Sequence, residues 1–194
     1  MRFLIAALIL IMASCGKEQV AQPRPHQYPR VTYPAQEYIS YVNDECPFVM
    51  DIPTYAKTEK KKLLFDEVEA DPCWFDISLE ELNATIHCSY YPISNSNTLD
   101  ELVNDAFELA RKHNVKASFR EEYILKNKAG HTGLMFKING PVATPFQFYI
   151  TDSTNHFLRG SLYFDERVNQ DSISPIVDFI EEDLDVMLNS LEWR

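Results

Sequence analysis

Apolar residues recur with two different periods in this chain, and the order of those periods restricts the fold more than any other feature. Along most of the sequence they alternate. Phe48, Met50 and Ile52 alternate with Val49 and Asp51 and stop at Pro53. Phe75, Ile77 and Leu79 alternate with Trp74, Asp76 and Ser78, and Ala84, Ile86, Cys88 and Tyr90 alternate with Thr85, His87, Ser89 and Tyr91. A repeat of two places one side of a strand on a core. Residues 55–72 are charged and read as a solvated connection or an irregular edge. Four further strands are predicted at Ser118–Lys126, His131–Asn139, Pro145–Thr151 and His156–Phe164. The segments Asn127-Lys128-Ala129-Gly130 and Asp152-Ser153-Thr154-Asn155 between them have turn chemistry and predict hairpins.

Two stretches change to a period of 3.6. Over Thr98–Lys116, Leu99, Leu102, Val103, Ala106, Phe107 and Ala110 form one stripe. Thr98 and Glu101 make a capping box, and Arg111, Lys112 and His113 complement the helix C-terminus. A second helix is predicted to start at Ser174-Pro175, a cap followed by proline at the first helical position. Its buried stripe is Ile176, Ile180, Leu184, Met187, Leu188 and Leu191. Glu181, Glu182, Asp183 and Asp185 fall opposite it and read as a solvated face, or else as an acidic docking face. Strands, helix, strands, helix with hairpins between neighbours is an α+β order: a mainly antiparallel sheet with two packed helices.

The first residues have another logic. Met1 and Arg2 precede an apolar run from Phe3 to Ala13, too short for the roughly 20 residues that span a bilayer. Met12-Ala13-Ser14-Cys15-Gly16 places small residues before a cysteine, as bacterial lipoprotein processing requires. Residues 1–14 are therefore expected to be a signal peptide, and Cys15 the lipidated N-terminus, carrying acyl chains such as palmitate. Two or more chains make such anchoring durable. Residues 15–30 continue as a polar tether in which Pro23, Pro25 and Pro29 resist helix. Residues 31–194 have a length that suits a single globular domain.

The formal charge is -11, and losing Arg2 with the leader lowers it by one more. That balance argues against nucleic acid and anionic lipid headgroups. Cys46, Cys73 and Cys88 remain for an oxidising compartment, and three pairings are possible. Cys46-Pro47 and Pro72-Cys73-Trp74 each open a predicted strand, and cysteines at neighbouring strand ends can meet at disulfide distance. Cys88 lies inside an apolar strand, where a thiol behaves as a small hydrophobe. This favours Cys46–Cys73. No CxxC spacing supports a metal or redox site.

The chain has no HExxH, no GxSxG and no phosphate-binding glycine loop, and only five glycines in all. No cofactor is expected. The segment Thr151–Gly160 gathers Asp152, Ser153, Asn155, His156 and Arg159. Ser153, His156 and Asp152 could serve a hydrolase, but nucleophile and base must be aimed at each other and at an oxyanion hole. Residues so close in one hairpin more often satisfy the turn. As a binding surface the segment offers Asp152, Asn155, His156 and Arg159, with His87 on the polar side of its own strand.

These residues also carry a resemblance. Cys46-Pro47-Phe48, Pro72-Cys73-Trp74, Ile86-His87-Cys88-Ser89-Tyr90, Phe146-Gln147-Phe148-Tyr149, Thr151 to Gly160 with Leu162-Tyr163-Phe164, and the closing Leu191-Glu192-Trp193-Arg194 resemble the gliding motility lipoprotein GldD family of the Bacteroidetes. The resemblance covers essentially all of the chain after Cys15. It implies a cell-envelope lipoprotein needed for gliding and linked to the type IX secretion apparatus, with no known enzyme activity and no catalytic residues to carry over. Relatives are expected to be apolar at position 88, which supports pairing Cys46 with Cys73. The element order also resembles the PsbP-like α/β/α sandwich, an analogy that says nothing about activity.

The expectation is thus a non-enzymatic accessory or assembly factor, held to the inner or outer membrane by its lipid and acting on machinery proteins. Gly16-Lys17-Glu18-Gln19 lacks the acidic run that resembles a surface-export signal in this phylum, so the domain is expected in the periplasm. The alternative is a periplasmic ligand-binding module that uses the polar turn at 151–160.

Overall fold

The alternating segments pair into a seven-stranded antiparallel sheet in the computed structural model, which describes residues 30–60, 71–113, 117–164 and 170–194. The apolar leader, Cys15 and all of the tether except Arg30 lie outside the described residues. So does Lys116, the predicted end of the first helix.

In chain order the strands are β1 (Tyr38–Val42), β2 (Phe48–Pro53), β3 (Lys57–Lys60), β4 (Trp74–Leu79), β5 (Ala84–Pro92), β6 (Phe119–Lys126), β7 (Thr132–Asn139), β8 (Phe146–Thr151), β9 (His156–Phe164) and β10 (Glu192–Trp193). The helices are α1 (Leu99–His113) and α2 (Gln170–Ser190). The large sheet has the order β3-β4-β5-β9-β8-β7-β6, and a small sheet has the order β1-β2-β10. Both predicted hairpins form, β6 with β7 and β8 with β9, and the chain closes back so that β9 pairs with β5.

The large sheet carries a packed layer on each face, while its edge strands β3 and β6 stay largely exposed. On one face lie α2 and the small sheet. Phe48 and Met50 of β2, Phe75 and Ile77 of β4, Ile86 of β5, and Phe146, Phe148 and Ile150 of β8 meet Ile180, Leu184 and Leu188 of α2 there. On the other face α1 sets Leu102 and Ala106 against Phe157, and Ala110 against Phe136 and Ile138. The two periods of the sequence thus become three layers, because each sheet face needs an apolar cover. Gly160 allows close packing within the first face: a Cβ there would lie 2.2 Å from the Phe148 ring, its cross-strand partner.

The Thr98–Glu101 capping box forms. The Thr98 amide donates to Glu101 at 3.1 Å and the Glu101 amide to Thr98 Oγ1 at 3.4 Å. Cys46 and Cys73 form a disulfide with Cα atoms 5.5 Å apart, while Cys88 takes no part in it and is buried in the sheet.

Three readings of the sequence need correction. The charged segment after residue 55 contains a strand, β3, whose four residues are all exposed and pair with β4 from Lys57 opposite Ser78 to Lys60 opposite Phe75. A ladder is made by backbone groups, so an edge strand needs no apolar pattern. Second, α2 begins at Gln170 rather than at Pro175, which lies inside the helix. Proline there forgoes one backbone hydrogen bond, and the preceding turn compensates by burying Ile173 at 5% exposure. Third, the acidic side of α2 is not wholly solvated. Asp183 is fully buried. Its Oδ1 accepts from the Tyr38 hydroxyl at 2.7 Å and the Gln36 amide at 3.4 Å, and its Oδ2 accepts from the Tyr55 hydroxyl. Glu181 pairs with Lys137 at 2.6 Å across to β7.

Asn127 shows the same economy of polar groups. Its side-chain amide donates to the carbonyls of Leu188 (3.2 Å) and Leu191 (2.8 Å), and its oxygen accepts from the His131 amide (2.9 Å). The β6–β7 turn therefore satisfies carbonyls that the end of α2 leaves without helical partners. Among the described residues no helix is long and apolar enough to cross a membrane.

Candidate functional site

The polar segment Thr151–Gly160 begins as a tightly satisfied turn. Asp152 Oδ1 accepts the backbone amides of Thr154, Asn155 and His156, each at 2.9 Å. Thr151 Oγ1 accepts from the Ser153 amide at 2.9 Å and donates to the His156 carbonyl at 2.6 Å. Ser153 takes a positive φ of 67°, and the Asn155 carbonyl accepts the Ile93 amide at 2.9 Å. This is the Asx-type arrangement that Asp and Ser favour in turns. Burial pushes the Asp152 carboxyl up, but the three amides outweigh it and hold the group below the ordinary carboxylate range.

Beyond the turn, strand alternation separates the remaining side chains. His156 shares a face with Leu158, while Phe157 and Arg159 point to the other side. His156 Nδ1 is 2.8 Å from the Tyr90 hydroxyl, and its ring stacks on Trp193 with centroids 5.0 Å apart. His131 lies 5.6 Å from the same indole, and Phe48 meets the indole edge-on at 6.1 Å. Trp193 Nε1 is buried and has no hydrogen-bond partner among the described residues.

Arg159 and His87 lie on the opposite face. The Arg159 guanidinium is 5.8 Å from the Tyr91 ring, a cation–π distance. His87 Nδ1 is 2.6 Å from Asp76 Oδ1, and its ring is 5.4 Å from Tyr163. The Tyr163 hydroxyl is 3.3 Å from His113 Nε2 at the end of α1, where burial lowers the imidazole's affinity for a proton.

The five residues singled out in the sequence thus occupy three places. Asp152 and Asn155 are at the hairpin tip, His156 is on the α2 side of the sheet, and Arg159 and His87 are on the α1 side. His156 is directed at Tyr90 and Trp193, so the geometry does not pair it with Ser153 as a base with a nucleophile. Sequence reasoning missed Tyr90, His131, Trp193 and the Asp183 cluster. Nothing local distinguishes their side chains, since the elements that unite them are up to 147 residues apart.

A cleft of about 490 Å³ lies elsewhere, lined by Ser118, Phe119, Lys137, Asn139, Pro141 and Asp178 among others, and holds none of the five residues. Among the described residues no group of three or more His, Cys, Asp or Glu side chains is arranged to hold a metal.

Comparison with known proteins bears on the whole chain. No match to a curated protein was found. Among solved structures, the solution structure of cyanobacterial PsbP (CyanoP) from Synechocystis sp. PCC 6803 is similar with a TM-score of 0.44 and 11% identity, covering 83% of this chain and 95% of that one. The family model described as gliding motility lipoprotein GldD matches residues 18–193. That match includes the disulfide, the 151–160 turn and the Trp193 stack, and by it the chain belongs to the family of gliding motility lipoproteins GldD.

Proposed function

We propose that this protein is a membrane-anchored cell-envelope lipoprotein that serves gliding motility as a non-enzymatic accessory or assembly factor of the gliding and type IX secretion machinery. The observation that carries the reading is the family match over residues 18–193. In this reading residues 1–14 are removed, Cys15 bears the lipid, the tether reaches residue 30, and residues 31–194 form one periplasmic domain. The geometry supports a binding role over catalysis. The Asp152 carboxylate is committed to its own turn, and the sheet separates His156 from Arg159.

The anchor has a mechanistic place in this proposal. Holding a binding domain at a membrane surface raises its effective concentration near envelope partners. Cys15→Ala, even where the domain is still exported, is expected to lose function through mislocalisation, because no lipid confines it. Full motility and secretion from such a soluble periplasmic form would refute the anchor's role. Affinity capture from cross-linked envelopes tests the partner class, with co-purified machinery components as the expected result. A lone protein carrying a small molecule would favour the ligand-binding reading instead. One observation favours that second reading: Arg159, His87, Asp76 and Tyr163 make a half-open polar surface on one face of β4, β5 and β9.

A further inference from the structure

Among the described residues, the two edges of the large sheet are built differently. Edge β3 is four residues long, wholly exposed and polar, Lys-Thr-Glu-Lys. Short, lysine-bearing edges of this kind resist pairing with another chain. Edge β6 is eight residues long, Phe-Arg-Glu-Glu-Tyr-Ile-Leu-Lys, and pairs with β7 without a bulge from Phe119 opposite Asn139 to Lys126 opposite Thr132. It contains no proline, and no described strand lies on its outer side. Three of its large apolar side chains are open to solvent: Ile124 at 83%, Phe119 at 56% and Tyr123 at 46%.

We propose that β6 is a self-association edge, on which a second copy of this chain pairs antiparallel about a two-fold axis through Ile124. A two-fold axis perpendicular to a sheet sets one residue opposite its own copy, so the possible registers can be enumerated. Centring on Glu121 or Glu122 sets that carboxylate against itself. Centring on Arg120 or Lys126 does the same with a cation. Centring on Tyr123 puts Arg120 opposite Lys126 of the second copy, centring on Leu125 puts Ile124 opposite that lysine, and centring on Phe119 leaves most of the strand unpaired. Centring on Ile124 sets isoleucine against isoleucine, Tyr123 against Leu125, and Glu122 against Lys126, each of the last two pairs occurring twice. Opposite charges and apolar pairs facing each other stabilise a ladder, and like charges destabilise it. Charge, apolar matching and paired length on β6 together favour this one register. The pairing would join two sheets into one and leave only the protected β3 edges outside.

The test uses the purified full-length protein in detergent, carrying Ile124→Cys. In the proposed register the two new thiols lie about 4.5–5.5 Å apart at their Cβ atoms. Oxidation or a short bis-maleimide should convert most of the protein to a covalent dimer. Glu121→Cys places its two thiols about 20 Å apart along the paired strands and should give at most a tenth of that yield. Adding Glu122→Lys to Ile124→Cys should cut the yield about tenfold, from two reversed cross-strand pairs, and adding Lys126→Glu to that variant should restore it. All these positions are exposed, and the restored variant shows that the intermediate one did not simply misfold. The proposal is overturned by no dimer at position 124, by equal cross-linking at 121 and 124, by failure of the double reversal to restore, or by cross-links in envelopes that join a different protein instead of a second copy.

Discussion

Replacing Asp183 by alanine removes an acceptor on which three separate segments converge. The carboxylate is fully buried in α2 and takes hydrogen bonds from Gln36 and Tyr38, at the entry to β1, and from Tyr55, just after β2. Losing one buried acceptor leaves each former donor to bear about 1–3 kcal/mol of desolvation. Tyr38 and Tyr55 are the donors that matter most, since the Gln36 contact is long at 3.4 Å. Against this, the alanine variant no longer buries a carboxylate. The net expectation is a loss of about 3 kcal/mol, or roughly 6–12 °C in Tm for a domain of this size. Urea denaturation followed by tryptophan fluorescence would measure it, and a double-mutant cycle with Tyr55→Phe should return a coupling of about 1–2 kcal/mol. The same cluster sets a pH limit. Burial first, and the hydrogen bond to Asp183 second, raise the Tyr38 and Tyr55 hydroxyls well above the ordinary tyrosine range. A group whose affinity for its proton rises on folding stabilises fully below its unfolded pKa and loses that contribution as pH climbs above it. Stability should therefore fall from about pH 10 upward, and Asp183→Ala should flatten that fall. A loss below about 1 kcal/mol, or an alkaline profile indifferent to Asp183, would refute the reasoning.

Three further outcomes follow from the same geometry. Replacing both Cys46 and Cys73 by serine opens a crosslink spanning 27 residues and should cost about 3.5 kcal/mol by loop entropy, read from the shift in the urea midpoint. Gly160→Ala drives a methyl to 2.2 Å from the buried Phe148 ring and should cost about 1–3 kcal/mol, a loss that Phe148→Leu in the same chain should partly relieve. Asp152→Ala deprives three amides of their acceptor and should cost about 1–2 kcal/mol at neutral pH. Because the folded carboxyl is held below its ordinary range, the native contribution is present above about pH 4 and disappears as pH falls through the folded value. The wild-type and Asp152→Ala denaturation curves should therefore converge in acid.

The strands and helices that bury an apolar stripe were legible one segment at a time. β2, β4, β5 and β9 follow their alternation, and α1 follows its stripe and capping box, because backbone geometry and side-chain period are local properties. The disulfide partners were also open to inference, since both cysteines open strands. Elements held only by their neighbours were not legible. β3 has no apolar residue, β10 is two residues long, and the first turn of α2 is retained past Pro175 because Ile173 finds a core to enter. Polar roles divided in the same way. Asp152 serves a turn made by its own neighbours, as its sequence context suggests. Asp183 has the local signature of a solvated acidic face, and only the tertiary structure brings Gln36, Tyr38 and Tyr55 to it. That His156 and Arg159, three residues apart, point to opposite sides follows from strand alternation alone, whereas only the sheet decides that one meets Tyr90 and Trp193 and the other Tyr91. A sequence records which groups lie near each other along the chain, whereas burial and partnership depend on which distant surfaces fold together.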